Sequence, residues 1–475
     1  MKARFLHAIL LLIGMSICLA SAAAYAGNAD RDPAEKNSGQ SDTVAYTLSQ
    51  SVERGLSVNP RIRSAESAVR KADSEIANQR GNFFPSFSAQ TYTQAISSID
   101  ADGPTDEDYV DQQIDVVNLK ISQTLFDGLT IFNRHQKAVL NKKVVKARKK
   151  RTELRLVLDI QKFFLDLLKA KEDVKSLRDA VHRMEVNVES AKSYYKEKMA
   201  PYTQVLQAKV ELADIRQKLS QAENKVETTR VQLNILLGFP GYRDISYTGD
   251  LEQGHDFTKS LNECLDYAYQ HRPEMRIGEK SIDMARKEKK ISLGQFSPRL
   301  SADADYYYRD NDYDKPGTRM GQTYDRDQQN TYWTVSLRLQ WKFGLGGQQF
   351  HQHSKASHEI QRLEQDLQAT KNQINAEVRT HYMALQEADE RIETTQTTVE
   401  SAREAYARAK KRFDVRMGTV SELLDAQARL SRAEANYNRA IGDYLSSLAK
   451  LYHAMGLQNH SLARQKPLPQ PGSSS

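Results

Sequence analysis

Glu422 and Asp425 are the residues of this 475-residue chain whose types and spacing point most directly at chemistry. Three positions apart, they share one face of a helix expected to begin just after Met417-Gly418-Thr419. Two carboxylates on one face attract cations, and copies brought close together raise each other's pKa. A plainer role is open to both. Thr419-Val420-Ser421-Glu422 has the spacing of a capping box, and Asp425 can pair with Arg429 at i+4. His351, His353 and His358 come nearest to a metal cluster, but on a helix His353 points away from the other two, so no metal site is assigned. The sequence has no glycine-rich phosphate loop, no Gly-x-Ser-x-Gly and no Cys-x-x-Cys. Neither an enzyme nor a cofactor is expected.

The N-terminus sets the compartment. Lys2 and Arg4 precede an apolar run from Phe5 to Leu19, and Ala24-Tyr25-Ala26 offers a small-x-small cleavage site, so residues 1–26 read as a signal peptide. The bulky Ile17 before Cys18 argues against lipid attachment there. Cleavage leaves Cys264 as the sole cysteine, so no internal disulfide can support the exported fold. It also lowers the formal net charge from +7 to +5. Basic and acidic residues are interspersed along the helices, the pattern of solvated faces rather than of a nucleic-acid patch. Mean hydropathy is −0.67, and no apolar run near 18 residues follows the signal, so no transmembrane helix is expected.

Two regions nonetheless look made for lipid. Over 331–343, Thr331, Trp333, Val335, Leu337, Leu339, Trp341 and Phe343 alternate with Tyr332, Thr334, Ser336, Arg338, Gln340 and Lys342. Period-two alternation of this length is a strand with one apolar and one polar face. Trp333 and Trp341, the only tryptophans, share the apolar face. At ~3.3 Å per residue they lie roughly 26 Å apart, close to the ~25 Å band and aromatic girdles of a membrane β-barrel. Residues 87–97, 115–126 and 299–308 are further strands, joined in pairs by long polar connections. Four strands cannot close a barrel, and an open edge in lipid leaves backbone groups unbonded. The chain must oligomerise: two copies would give eight strands, three would give twelve.

The elements that position all of these residues occur twice. Asn82-Phe83-Phe84-Pro85 recurs as Gln295-Phe296-Ser297-Pro298 and Asn59-Pro60 as Arg272-Pro273, both 213 positions later. Leu237-Gly238-Phe239 recurs as Met455-Gly456-Leu457 at 218. Helices are expected over 44–80, 129–199, 203–238, 347–416 and 419–455, the long ones about 105 Å each. Heptad seams such as Val174, Leu177, Val181, Met184, Val188 and Ala191 predict coiled-coil packing. The expected organisation is a linker at 27–43, a first repeat at 44–240, a connecting equatorial segment at 241–260, a second repeat at 261–457 and a disordered tail at 458–475. The fold class is mainly α with membrane β, a duplicated stave of long helices topped by four strands. An exported structural or adhesive coiled-coil protein is the alternative, and it leaves the paired strands unexplained.

This plan resembles the TolC family of outer-membrane channel-tunnels from about Thr47 to Leu457. The likeness rests on Pro85 and Pro298, on Gln123-Thr124-Leu125-Phe126-Asp127-Gly128, and on Arg412-Phe413 followed by Gly418-Thr419 and Glu422-Leu423-Leu424-Asp425-Ala426. The resemblance implies a homotrimer with a twelve-stranded barrel in outer-membrane lipid and a helical tunnel across the periplasm. It also implies a periplasmic adaptor, an inner-membrane pump, and efflux or type I secretion as the task. On it, Glu422 and Asp425 would line the pore aperture as two stacked rings. Phe413, Gly418 and Gln204 fall at gate-link positions; Gly418 stands where some members carry a basic residue, so that ionic latch is absent. The turns at Lys198, Met199 and Pro201 and at Arg416, Met417 and Thr419 would meet the adaptor. Gln204 and Gln207 occupy the first-repeat positions of Glu422 and Asp425.

Overall fold

The computed structural model describes residues 45–100, 108–249, 251, 257–313, 317–319, 322–324, 328–342, 344–415, 417–460 and 462. The signal peptide, the 27–43 linker, Phe343 and Arg416 lie outside the described residues. The elements run β1 (Ala45–Tyr46), α1 (Leu48–Val58), α2 (Pro60–Gly81), β2 (Ser86–Asp100), β3 (Asp108–Phe126), α3 (Thr130–Lys196) and α4 (Tyr202–Leu236). After β4 (Ser246–Tyr247) the series repeats as α5 (Leu261–His271), α6 (Pro273–Gly294), β5 (Arg299–Tyr313), β8 (Gln328–Gln340), α7 (Gln348–Asp414) and α8 (Val420–Met455). A short ribbon, β6 (Gly317–Arg319) with β7 (Gln322–Tyr324), interrupts the second copy between β5 and β8. The duplication extends to element lengths: α1 and α5 hold 11 residues, α2 and α6 hold 22, and α3 and α7 hold 67.

The expected helix over 44–80 is two helices. A proline keeps the residue before it out of the helical region, and Asn59 and Arg272 sit extended at ψ 129° and 124°. Thr47 with Gln50, and Ser260 with Glu263, close capping boxes at the starts of α1 and α5. The two pre-proline residues then fasten each copy's beginning to its end. Asn59 Nδ2 donates to Leu236 O at 2.9 Å, and Arg272 Nη1 donates to His453 O at 3.2 Å. Both closing helices stop at a glycine in the left-handed region, Gly238 at φ +72° and Gly456 at φ +76°.

The four long strands form one antiparallel sheet in the order β2-β3-β5-β8. Its register aligns Phe87, Ile121, Ala304 and Val335 on one face and Ser86, Ser122, Asp303 and Ser336 on the other. The first face is apolar and open: Trp333, Val335, Leu337 and Leu339 are 69–74% exposed. On the polar face Asp303 is only 4% exposed, accepts from Ser122 Oγ at 2.6 Å, and lies 3.4 Å from Lys120 Nζ and 3.7 Å from Arg338 Nε. Strand β8 ends one residue before Trp341, whose Nε1 donates to Phe296 O at 3.0 Å. Strands β2 and β8 each keep one edge without a strand partner among the described residues.

Apolar seams hold the helices. Ala180, Met184, Val188 and Ala191 of α3 pack on Val205, Ala208 and Ile215 of α4. A second cluster joins Tyr406 and Phe413 of α7 to Val420, Leu423 and Leu430 of α8. Helix α8 lies between α7 and α3 and buries residues such as Tyr444, Leu448 and Leu451 with Cys264 and Leu265 of α5, whereas α4 packs mainly on α3. Fully burying a leucine such as Leu451 contributes roughly 2 kcal/mol. Burial also pushes the Cys264 thiol up to about 11, leaving it inert. Within the segment expected as a disordered tail, Asn459 and Leu462 are buried and Gln161 Nε2 donates to Asn459 O at 2.5 Å; residues 463–475 lie outside the described residues. Among the described residues no helix is long and apolar enough to cross a membrane.

Candidate functional site

Each long helix ends in a tight turn built from its own backbone. After α3, Lys198 takes φ +57° so that Met199 N can reach Tyr194 O at 2.8 Å. After α7, Met417 N reaches Arg412 O at 2.8 Å, and Thr419 caps α8 by accepting from Glu422 N at 3.2 Å. Met199, Pro201 and Met417 project from the two turns, exposed.

The capping box at Thr419 is only half closed. Glu422 does not return its carboxylate to the cap but turns it to Arg412 Nη2 at 3.7 Å. Gly418 permits this approach, since a Cβ there would stand 3.2 Å from Arg412 Cβ and 3.3 Å from Glu422 Oε2. Both partners are at least half exposed, so the pair is worth less than about 1 kcal/mol. Asp425 is exposed and makes no ion pair with Arg429 among the described residues. Leu423 between them is buried, so the two carboxylates occupy the side of α8 away from its core. Gln204 is half-buried and Gln207 exposed at the matching places of the first copy.

Phe413, a gate-link position on the resemblance, is buried. It is 4% exposed inside the α7–α8 cluster, its ring edge-on to Tyr194 of α3 at 5.1 Å. The Tyr194 hydroxyl donates to Phe413 O at 3.3 Å and Asp414 O at 3.4 Å, tying the end of α7 to the first copy's turn. Farther along, Arg183 of α3 donates to Gln427 Oε1 and Glu434 Oε2 of α8, both at 3.1 Å. These side chains hold the two helical hairpins together. A single sequence gives them no distinguishing spacing: Tyr194 stands beside a second tyrosine, Tyr195, and Arg183 between the seam residues Val181 and Met184.

The histidines are dispersed. His353 meets Ser292 Oγ and His358 meets Gln361, each at 3.2 Å. Among the described residues no group of three His, Cys, Asp or Glu is placed to hold a metal ion.

Comparison with known proteins agrees with this architecture. The sequence profile of the outer membrane efflux proteins matches the chain twice, over residues 52–239 and 264–457, which are the two copies. The chain belongs to that family. Membership places the protein in the cell outer membrane. It is 22% identical to the Outer membrane protein TolC of Vibrio cholerae over 306 residues, 64% of this chain and 68% of that protein. It is 23% identical to the Alkaline protease secretion protein AprF of Pseudomonas aeruginosa over 348 residues, 72% of this chain and 69% of that one. In fold it is similar to the Campylobacter jejuni CmeC outer membrane channel, with a TM-score of 0.73 at 14% identity, covering 86% of this chain and 85% of that one.

One further set of residues is brought together only by the fold. Arg134, Arg299 and Lys342 line a cavity on the polar side of the strand bases. A signal was present: Arg134 to Arg151 holds nine basic residues and no acidic one, against the interspersed charge elsewhere.

Proposed function

We propose that this protein is the outer-membrane exit duct of a tripartite efflux or type I secretion system, assembled as a homotrimer. The four-stranded sheet carries the reading: one face is apolar and exposed, and neither outer edge has a strand partner among the described residues. In lipid each unbonded backbone group costs several kcal/mol, so β8 of one copy meets β2 of the next. Three copies supply twelve strands, with the polar face as lumen and Trp333 and Trp341 near the two interfaces. The helices then run into the periplasm. Their turns, Lys198 to Pro201 and Met417 to Thr419, face a periplasmic adaptor and through it an inner-membrane pump.

The repeat supports closure by a second copy of the chain. Lys137 of α3 pairs with Glu288 of α6 at 2.8 Å, and Lys169 of α3 with Asp443 of α8 at 3.8 Å. Moved by the repeat offsets of 218 and 213, the first pair becomes Lys355 with Glu75; moved by 218, the second becomes Glu387 with Lys225. All four residues are exposed and make no ion pair among the described residues. Each couple has opposite charges ready for a neighbouring subunit.

In this trimer Glu422 and Asp425 ring the periplasmic aperture. Opening swings the α7–α8 hairpin off α3 and breaks the Tyr194 and Arg183 bonds. Unheated protein from outer-membrane fractions is expected to run as a trimer and to conduct in planar bilayers. E422A with D425A should raise single-channel conductance and weaken block by multivalent cations. A soluble monomer would refute the duct, and unchanged conductance and block would refute the aperture.

A further inference from the structure

Where the strands hand over to the helices, the polar face of the sheet opens into a cavity of about 1040 Å³. Arg299 and Gln340 form one of its walls; they pair in register, and each lies an even number of residues from Asp303 and Arg338, so they belong to the polar face. Thr124 and Lys342 adjoin them, and Arg134 and Gln352 enter from α3 and α7.

The cavity has an excess of positive charge. Arg134, Arg299 and Lys342 are exposed and make no ion pair among the described residues. Arg299 Nη2 donates to the neutral Thr124 Oγ1 at 2.9 Å. The one carboxylate among its described lining, Asp127, is committed to capping α3, its Oδ2 accepting from Ile131 N at 2.9 Å. The shared frame does not require these cations. Gln352 stands at the repeat position of Arg134, Ser86 at that of Arg299 and Thr124 at that of Lys342, so each cation has a neutral counterpart in the other copy.

We propose that this chamber binds oxyanion groups, phosphate or carboxylate, of a solute in transit. The proposal rests on the duct reading, in which the polar face is the lumen. Three subunits would then set nine cations around one level of the channel, and rings of Lys and Arg select anions. Guanidinium groups match planar and tetrahedral oxyanions through paired N–H donors. The duct would carry opposite signs at its two ends: carboxylates at the periplasmic aperture, cations where the tunnel enters the barrel.

Tripolyphosphate is a suitable probe in planar bilayers. Added from the strand side of the wild-type channel, it should block current at about one-tenth the concentration needed from the turn side. The variant R134Q/R299Q/K342Q, checked for trimer mobility, should need at least tenfold more, whereas R134K/R299K, which keeps the charge but loses the paired donors, should fall between the two. Equal block of the wild type and the triple variant overturns the chamber and leaves the duct standing. A wild-type protein that never conducts overturns the duct instead. Titration calorimetry of tripolyphosphate into detergent-solubilised protein then judges the chamber. Binding weakened tenfold or more in the triple variant supports it, and no binding, or binding that the variant retains, overturns it.

Discussion

From Arg134 to Arg151 the first copy's long helix carries nine cations and no carboxylate; the same stretch of the second copy, 352–369, carries Glu359, Glu364 and Asp366. At the far end of these helices the copies differ again, with Gln204 and Gln207 in the first and Glu422 and Asp425 in the second. Yet the two long helices have the same length, and each copy is closed by its own pre-proline residue reaching its last helix. Duplication preserved the seams, where a changed side chain costs packing energy, and left the exposed faces free to diverge. Charge that differs between copies is therefore the better guide to function, because the frame does not need it.

The comparison can be broken most severely at the closing glycines. A Cβ on Gly456 would lie 3.1 Å from the backbone of His271 and Arg272, whereas one on Gly238 would meet only the Val58 side chain at 3.0 Å. Both take positive φ. G456A, whose Cβ meets rigid backbone, should cost about 3 kcal/mol and G238A, whose Cβ meets a side chain that can shift, about 1–2 kcal/mol, measured as thermal stability of the detergent-solubilised protein. Equal losses would mean that the two closures are interchangeable.

Next comes pH. His453 is pushed down to about 4 by burial, helped by the Arg272 and Arg155 charges and opposed by Glu377, while Ile235 at its repeat position cannot titrate. The unfolded chain binds this proton near pH 6.5 and the folded chain only near pH 4. The second copy should therefore hold its stability above pH 6.5 and lose up to about 3 kcal/mol as pH falls toward 4. H453Q should flatten that part of the stability–pH curve; a curve unchanged by the variant removes His453 as its source.

Smaller effects probe the turns and the edges. Tyr194 ties the copies together, but Arg412 at its repeat position folds back onto Met417 O and Glu422 within its own turn. Y194F should cost about 1 kcal/mol and lengthen open times in single-channel records, whereas R412Q should leave the α3 contact intact. The smallest effect is expected at the subunit edge. K355E should lower the temperature at which the trimer dissociates on a gel, and K355E/E75K should restore it, for less than about 1 kcal/mol per pair. No restoration would break the rule that contacts within one chain repeat between chains.

Much of this was legible in the sequence because it is periodic. Alternation identified β8 and its exposed apolar row, and heptads identified the α3–α4 seam now seen around Met184 and Ala208. Local chemistry was read less well: the break at Asn59-Pro60 was visible as a recurring motif but not as the end of a helix. Phe413 shows the limit. Its place in a gate motif said nothing of the Tyr194 ring that buries it, because that contact joins residues 219 positions apart.

By itself the sequence determined the duplication, the two-faced strands and the carboxylate pair after the second turn. These follow from spacing along the chain, which folding cannot alter. Only the tertiary structure decided which strand lies beside which, that Glu422 turns to Arg412 rather than closing its cap, and that Arg134, Arg299 and Lys342 gather around one cavity. Those relations depend on register and on helices crossing far apart in sequence. Many partners are compatible with the local pattern there, and the packed core selects one.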